Sequence, residues 1–150
     1  MPLEHLHEPG IHAVRKPRVA LDQRFLELDR ATLTVDRLVA ELARYAELHR
    51  AKGPNGEAMW KERYPRFPKV HCVLAGASRP ALERRRNSVI ALLGSHPQLV
   101  GTRGPRISIC LLEDLRARGP FAPIFRELRN PGRAVDWLGV ESQDEDAGVR

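Results

Sequence analysis

Three acidic residues lie close together in a part of the chain that is otherwise mostly basic. Glu27 and Asp29 alternate with Leu26 and Leu28, so the two carboxylates are expected on one face of a strand, and Asp22 precedes them. Carboxylates at a strand end can bind Mg²⁺ or Mn²⁺, and the metal can activate water for phosphodiester hydrolysis. The pattern therefore indicates Glu27 and Asp29 as metal ligands, and Glu27, Asp29 and Asp22 as catalytic residues of a nuclease.

The same alternation is also typical of an edge strand with one face in solvent, and spacing alone leaves both interpretations open. Glu41, on the helix that follows, is expected at the border between core and solvent. The order of elements also resembles that of restriction-endonuclease-like nucleases, whose sites need an aspartate on the first strand and Glu-x-Lys on the second, where the lysine positions the attacking water. Arg30 stands next to Asp29 instead, and its guanidinium stays protonated, so it cannot act as a base.

Other catalytic signatures are missing from the sequence. The stretch AGASR around Ser78 lacks the second glycine of a nucleophile elbow, and GPNGE at 53–57 lacks the Lys-Ser/Thr pair of a phosphate-binding loop. Cys72 and Cys110 each lie inside an apolar run that predicts a buried strand. We therefore expect reduced core thiols, and neither a disulfide nor a zinc site.

The charge distribution favours a polyanionic partner. The chain carries a net charge of +6, and residues 15–133 contain 24 Lys or Arg against 12 Asp or Glu. Such an excess favours nucleic acid through counterion release. Arg supplies 21 of the 25 basic residues, a bias that a GC-rich genome produces without any binding function.

Six basic residues are the candidates for contact with nucleic acid: Arg30, Lys61, Arg63, Arg84, Arg85 and Arg86. Three consecutive helical residues cannot all face one ligand, so a solvated helix face is the alternative for the arginine run. The segment 51–68 also interleaves Trp60, Tyr64 and Phe67 with basic residues. These rings could stack on single strands, or they could attach the loop to the core.

The hydropathy pattern predicts one α/β domain over residues 18–130. Residues 1–17 are expected to form a flexible arm, and residues 131–150 an acidic, mobile tail. Strand character over residues 18–29 predicts a hairpin with its turn at Asp22 and Gln23. A helix follows, and the apolar runs VHCVLA and ISICLL predict parallel strands around a second helix. The order is strand, strand, helix, strand, helix, strand, in a small mixed sheet flanked by helices.

No run reaches the length of a membrane span and no signal peptide is visible, so we expect a cytoplasmic protein without membrane contact.

The stretch FLELDRATLTVDRLVAELARY, residues 25–45, resembles the conserved segment of the replication-relaxation family of actinobacterial and Gram-positive plasmids and conjugative elements. That segment reads aromatic-leucine-Glu-x-Asp-Arg-x-Thr, then leucine-x-x-Lys-Leu-x-x-Tyr. The stretches FPKVHCVLAGASRPALERRR and LLEDLRARGPFAPIFRE are similar to its later parts in the same order. The matching positions are Glu27, Asp29, Arg30, Thr32 and Tyr45.

The resemblance implies a DNA-associated protein of a mobile element, with a restriction-endonuclease-like α/β region. Family members carry a winged helix before that region, and residues 1–24 are too short for one. The helix lysine of the family pattern is Glu41 here. The chain therefore resembles a shortened family member.

These observations predict a DNA-associated protein of a plasmid or integrated element that binds nucleic-acid backbone through an Arg-rich surface, without efficient catalysis. One alternative is a nuclease dependent on Mg²⁺ or Mn²⁺ that uses Glu27 and Asp29. Another is an interaction module for a separate winged-helix subunit, or for self-association.

Overall fold

A computed structural model describes residues 22–101 and 103–139 of the chain. The expected N-terminal arm, the first strand of the expected hairpin and residues 140–150 of the expected tail lie outside the described residues. Five strands form one mixed sheet in the order β1-β2-β3-β4-β5. Their bounds are Arg24–Asp29, Lys69–Leu74, Ile107–Leu111, Phe125–Glu127 and Ala134–Val135.

The first three strands are parallel, and the last two are antiparallel to their neighbours. This arrangement confirms the predicted α/β class with a small mixed sheet. The restriction-endonuclease-like order, which requires a strand before β1, stays a prediction. β5 lies beyond residue 130, where the sequence predicted the domain to end.

Two long helices, α1 (Val35–Arg50) and α2 (Arg79–Leu93), connect the parallel strands. Thr34 caps α1 because its hydroxyl accepts the Arg37 N–H at 3.3 Å, and Asp36 complements the positive end of the helix. Three shorter helical elements follow elsewhere. They are a 3₁₀ helix (Met59–Glu62), α3 (Pro97–Val100) and α4 (Leu112–Arg118).

The larger part of the core lies between the sheet and the pair α1 and α2. Alternate residues of β2 and β3 enter it together with the apolar stripe of α1, whose Leu38 and Leu42 are buried. β2 and β3 are buried along both faces, as their continuous apolar runs predicted. Cys72 and Cys110 are free thiols, and both are buried, as their place inside the apolar runs predicted.

The opposite face of the sheet carries a smaller core. It comprises Val73, Cys110, Ile124, Phe125 and Val135, against which Trp137 packs. This cover ends at β2. In β1, Leu26 and Leu28 belong to this face and are 60% and 58% exposed.

The alternative interpretation of Glu27 and Asp29, as the solvent-exposed acidic face of an edge strand, is therefore wrong. Asp29 is only 5% exposed, and Glu27 is half-buried, because their face of the strand is the one that α1 and α2 cover. If the acids faced solvent, Leu26 and Leu28 would be buried. These leucines lie on the solvent side instead.

The segment 51–68 is attached to the core by its aromatic rings. Phe25 of β1 contacts Tyr64 and Phe67 with centroid distances of 5.7 and 5.9 Å, and Trp60 contacts Phe67 at 5.8 Å. The Trp60 indole N–H also donates to the His49 carbonyl at 3.1 Å. These contacts favour the loop-anchoring interpretation over a stacking platform.

Among the described residues, no helix has the length and apolar character needed to cross a membrane.

Candidate functional site

The carboxylate of Asp29 is enclosed by basic and backbone donors at the C-terminal end of β1. Arg85 of α2 places its Nε 2.6 Å from Oδ2 and its Nη2 3.2 Å from Oδ1. The Ala31 N–H donates to Oδ1 at 3.2 Å. Arg85 also donates to the Leu33 carbonyl at 2.7 Å, which fixes the guanidinium in this orientation. Both Asp29 oxygens are thus bound by donors of the protein itself.

The backbone around this ion pair is closely packed. Gly76, just after β2, has a φ of +84°, and a Cβ at this position would lie 2.3 Å from the Arg30 carbonyl oxygen. Any other residue would push the β1 and β2 ends apart. The Ala75 N–H donates to the Asp29 carbonyl at 2.8 Å and joins the same two strand ends. The close packing at Gly76 and the Ala75 hydrogen bond therefore fix the backbone of Asp29 at a position where Arg85 of α2 can bind its carboxylate.

Glu27 has a different partner, the hydroxyl of Tyr45 on α1, which donates to its Oε1. Burial and this hydrogen bond raise the pKa of Tyr45 well above its ordinary value, so the hydroxyl keeps its proton. Glu27, Glu41, Arg44 and Tyr45 line an open groove of about 420 Å³ together with Leu48. The structure thus brings Glu27 and Glu41 to one groove and leaves Asp29 with Arg85.

Asp22 does not join these acids. Its carboxylate pairs with Arg24 at 2.5 Å, and this bond lowers the pKa of Asp22. Arg24 points to the other face of the sheet, where it reaches His71 Nε2 at 3.0 Å and the Trp137 carbonyl at 2.7 Å. In the part of the chain that the structure describes, no group of three or more His, Cys, Asp or Glu side chains could hold a metal ion.

The six basic candidates have unlike surroundings. Arg85 is committed to Asp29, and Lys61 pairs with Glu57 at 3.1 Å. Arg86 is half-buried beside Asn87 and lines a different groove from any acid of β1. The other three are exposed and form no ion pair with a described residue; they are Arg30, Arg63 and Arg84.

A basic groove that the sequence did not indicate lies between the C-terminus of α1 and α3. It has a volume of about 720 Å³, and its charged lining residues are Arg50, Lys52 and Arg103. No Asp or Glu among the described residues lines it, and none of the three cations forms an ion pair with one of them. Its residues come from distant parts of the chain. Sequence order therefore gave no signal of the cluster beyond the general excess of arginine.

The end of α1 would oppose an anion in this groove if its last carbonyls were unpaired. Two of the last four carbonyls are paired instead. The Glu47 carbonyl accepts from the Ala51 N–H at 2.9 Å, and the His49 carbonyl accepts from the Trp60 indole N–H at 3.1 Å.

Two further residues shape the groove. His49 stacks on Trp60 with a centroid distance of 5.9 Å, and burial, with a contribution from Arg129, lowers the pKa of His49. His49 is therefore neutral at pH 7. Arg129 donates to the Gly104 carbonyl, which belongs to the groove lining, and adds a positive charge behind it.

His71 and Ser108 form a buried pair that sequence patterns did not reveal, with Nδ1 2.6 Å from Oγ. Arg24 can only donate, so His71 Nε2 accepts and the ring proton lies on Nδ1. Nδ1 then donates to Ser108, which is the reverse of the bond that activates a serine nucleophile. The arrangement is a structural hydrogen-bond chain beneath Trp137, whose ring stacks on His71 at 4.3 Å.

No family model, no curated protein and no solved structure matches the chain.

Proposed function

We propose that this chain binds the sugar-phosphate backbone of nucleic acid through the basic groove between α1 and α3, without efficient catalysis of its own. The observation that carries the proposal is that Arg50, Lys52 and Arg103 meet in one groove that no described acidic residue lines. An excess of cations spread over a surface is common, but a concave group of unpaired cations offers one anion several favourable contacts at once.

The groove also suits a backbone in its chemistry. Two of its cations are arginines, whose planar guanidinium groups bind phosphate oxygens in pairs. Gln98 and the backbone near Gly101 and Gly104 add polar groups of the kind that position phosphates and sugars without reading a sequence. Such contacts support binding that depends weakly on base sequence.

The proposal of weak or absent catalysis rests on the ion pair of Asp29 with Arg85. A metal ion at Asp29 would have to displace the bidentate guanidinium of Arg85. The positive charge of Arg85 would then lie partly buried next to the metal ion, without its counter-charge. Glu27 and Glu41 alone offer a divalent ion few ligands.

The resemblance of residues 25–45 to replication-relaxation proteins supports duplex DNA as the nucleic acid, and a plasmid or integrated element of an actinobacterium as its setting. In that setting the chain works beside a separate winged-helix protein, which supplies the sequence recognition that backbone contacts lack.

A salt titration of DNA binding tests the proposal. Fluorescence anisotropy with a labelled duplex of arbitrary sequence should show binding at low salt. The logarithm of affinity should fall linearly with the logarithm of salt concentration, by about 0.9 for each phosphate that a cation neutralises. Three groove cations predict a slope of about −2.7 or steeper. An absence of binding at low salt, or an affinity indifferent to salt, would show that the function is something else.

A further inference from the structure

Two arginines meet in a groove between α2 and β4. Arg86 lies one helical turn after Leu82 and one before Val89, both of which are buried, so it belongs to the face of α2 that covers the sheet. Arg126 is the middle residue of β4, and its neighbour Phe125 enters the smaller core on the opposite face of the sheet. Arg126 therefore points to the side that α2 covers. Both arginines line one groove of about 390 Å³.

Neither arginine forms an ion pair with a described residue. Arg86 donates from Nε to the Asn87 side chain at 3.4 Å, and Arg126 donates from Nη1 to the Pro131 carbonyl at 3.1 Å. These bonds leave most N–H donors of each guanidinium group available to a ligand. Both residues are half-buried. Two cations are thus held in one groove, partly removed from solvent and without a counter-charge among the described residues.

The acids whose charges act on Arg86 are paired with a third arginine. Glu83 and Asp114 are both bound by Arg79, at 3.0 and 2.8 Å, and neither lines the groove. Burial and the positive charge of Arg126 lower the pKa of Arg86. The positive charge of Arg86 is therefore disfavoured in its surroundings, and an anion between the two guanidinium groups would supply the missing counter-charge.

We propose that the Arg86–Arg126 groove binds the phosphate monoester group of a small, nucleotide-sized molecule. A phosphate monoester carries close to two negative charges at neutral pH, which two guanidinium groups match, whereas a phosphodiester carries one. Ile90, Ala91 and Pro131 provide an apolar wall for the organic part of the ligand, and the volume is that of a small-molecule site.

This site is separate from the basic groove between α1 and α3. The two grooves share no lining residue. The inference therefore goes beyond binding of nucleic acid and does not depend on it.

Isothermal titration calorimetry of the full chain with adenosine monophosphate tests the site. We expect saturable binding of a single molecule per chain. Arg86→Gln or Arg126→Gln should weaken this binding at least about tenfold, because each removes one of the two charges that hold the phosphate. Arg84→Gln is the matched control, since Arg84 is an exposed neighbour on α2, and it should leave the affinity unchanged. No saturable binding to the unaltered protein, or equal affinity in all four proteins, would overturn the proposal.

Cyclic adenosine monophosphate distinguishes a monoester site from a surface for nucleic-acid backbone. It has the same base and sugar but a singly charged diester, so we expect it to bind at least about tenfold more weakly. The affinity for the monoester should also fall between about pH 7 and pH 5, because its second proton has a pKa of about 6, while that for the diester should not follow this change. Equal affinity for the two nucleotides, or an Arg86→Gln variant that loses as much affinity for duplex DNA as for the monoester, would contradict the proposal.

Thermal unfolding provides a check that does not depend on binding heats. Adenosine monophosphate should raise the melting temperature of the unaltered protein and of Arg84→Gln, because a ligand that binds the folded state stabilises it. It should leave that of Arg86→Gln and Arg126→Gln nearly unchanged, and the melts without nucleotide show that both variants are folded. An equal increase in all four proteins would place the nucleotide elsewhere and contradict this site.

Discussion

Arg85 of α2 and Asp29 of β1 form a bidentate ion pair, with Nε 2.6 Å from Oδ2, at the end of the strand that carries the candidate acids. The side chains are only 11% and 2% exposed. Asp29 is one of the two carboxylates that the sequence indicated as metal ligands. In the structure it binds Arg85 instead, and this ion pair joins β1 to α2.

Removal of Arg85 should destabilise the fold strongly. Arg85→Ala leaves a buried carboxylate without its counter-charge, and we expect the free energy of unfolding to fall by about 3–5 kcal/mol in urea titrations. Arg84→Ala, at an exposed neighbouring position, should change it by about 0.5 kcal/mol or less. In the Asp29→Asn background, loss of Arg85 should cost clearly less. Equal costs in both backgrounds would show that the pair is not coupled.

His71 should make the protein sensitive to mild acid. Burial, together with the charges of Arg24 and Lys69, lowers the pKa of His71 to about 4, from 6.5 in the unfolded chain. The neutral ring is favoured in the fold, so its stabilising effect is complete above pH 6.5 and is lost as pH falls towards 4. At about 1.4 kcal/mol for each pH unit, the loss approaches 3 kcal/mol.

The comparison that isolates this effect is His71→Gln, which cannot titrate. Its free energy of unfolding should decline less between pH 6.5 and pH 4 than that of the unaltered protein, since the carboxylates titrate in both. Parallel curves would exclude His71 as the source of the acid sensitivity.

The two thiols should be inert in the folded protein. Burial raises the pKa of Cys72 and Cys110 to about 12, so almost no thiolate is present at neutral pH. A thiol reagent such as dithionitrobenzoate should therefore react with neither in native buffer, and with both after denaturation. Rapid reaction of one thiol in native buffer would indicate that its strand opens locally.

Nuclease activity offers a test of the acids of β1. We expect no nicking of supercoiled DNA that depends on Mg²⁺ or Mn²⁺ and on Glu27 or Asp29, because Arg85 and Tyr45 bind these carboxylates. The variants Glu27→Gln and Asp29→Asn serve as the comparison for any background cleavage. Metal-dependent nicking that disappears in either variant would show that the site is catalytic.

Local signals in the sequence were sufficient for the elements that depend on local physics. The hydropathy pattern after β1 predicted the helix α1, and the continuous apolar runs predicted β2 and β3. The burial of the two thiols was predicted because each cysteine lies inside one of these apolar runs.

The site itself depended on contacts between distant residues. Asp29 and Arg85 are 56 positions apart, and alternation along β1 could not show which face α1 and α2 would cover. The short strands β4 and β5 and the helix α3 have too few residues for a period to be visible. The basic groove likewise needed the packing of α3 against α1.

The most direct measurement of the central claim compares two triple variants in DNA binding at one low salt concentration. Arg50→Gln, Lys52→Gln and Arg103→Gln together remove the groove cations, while Arg37→Gln, Arg116→Gln and Arg118→Gln remove the same charge from exposed positions of α1 and α4. We expect the affinity of the groove variant for DNA to fall at least about tenfold. Its plot of log affinity against log salt concentration should be less steep by about 2.7, and both quantities should change far less in the control. Equal losses in the two variants would contradict a binding site in the groove.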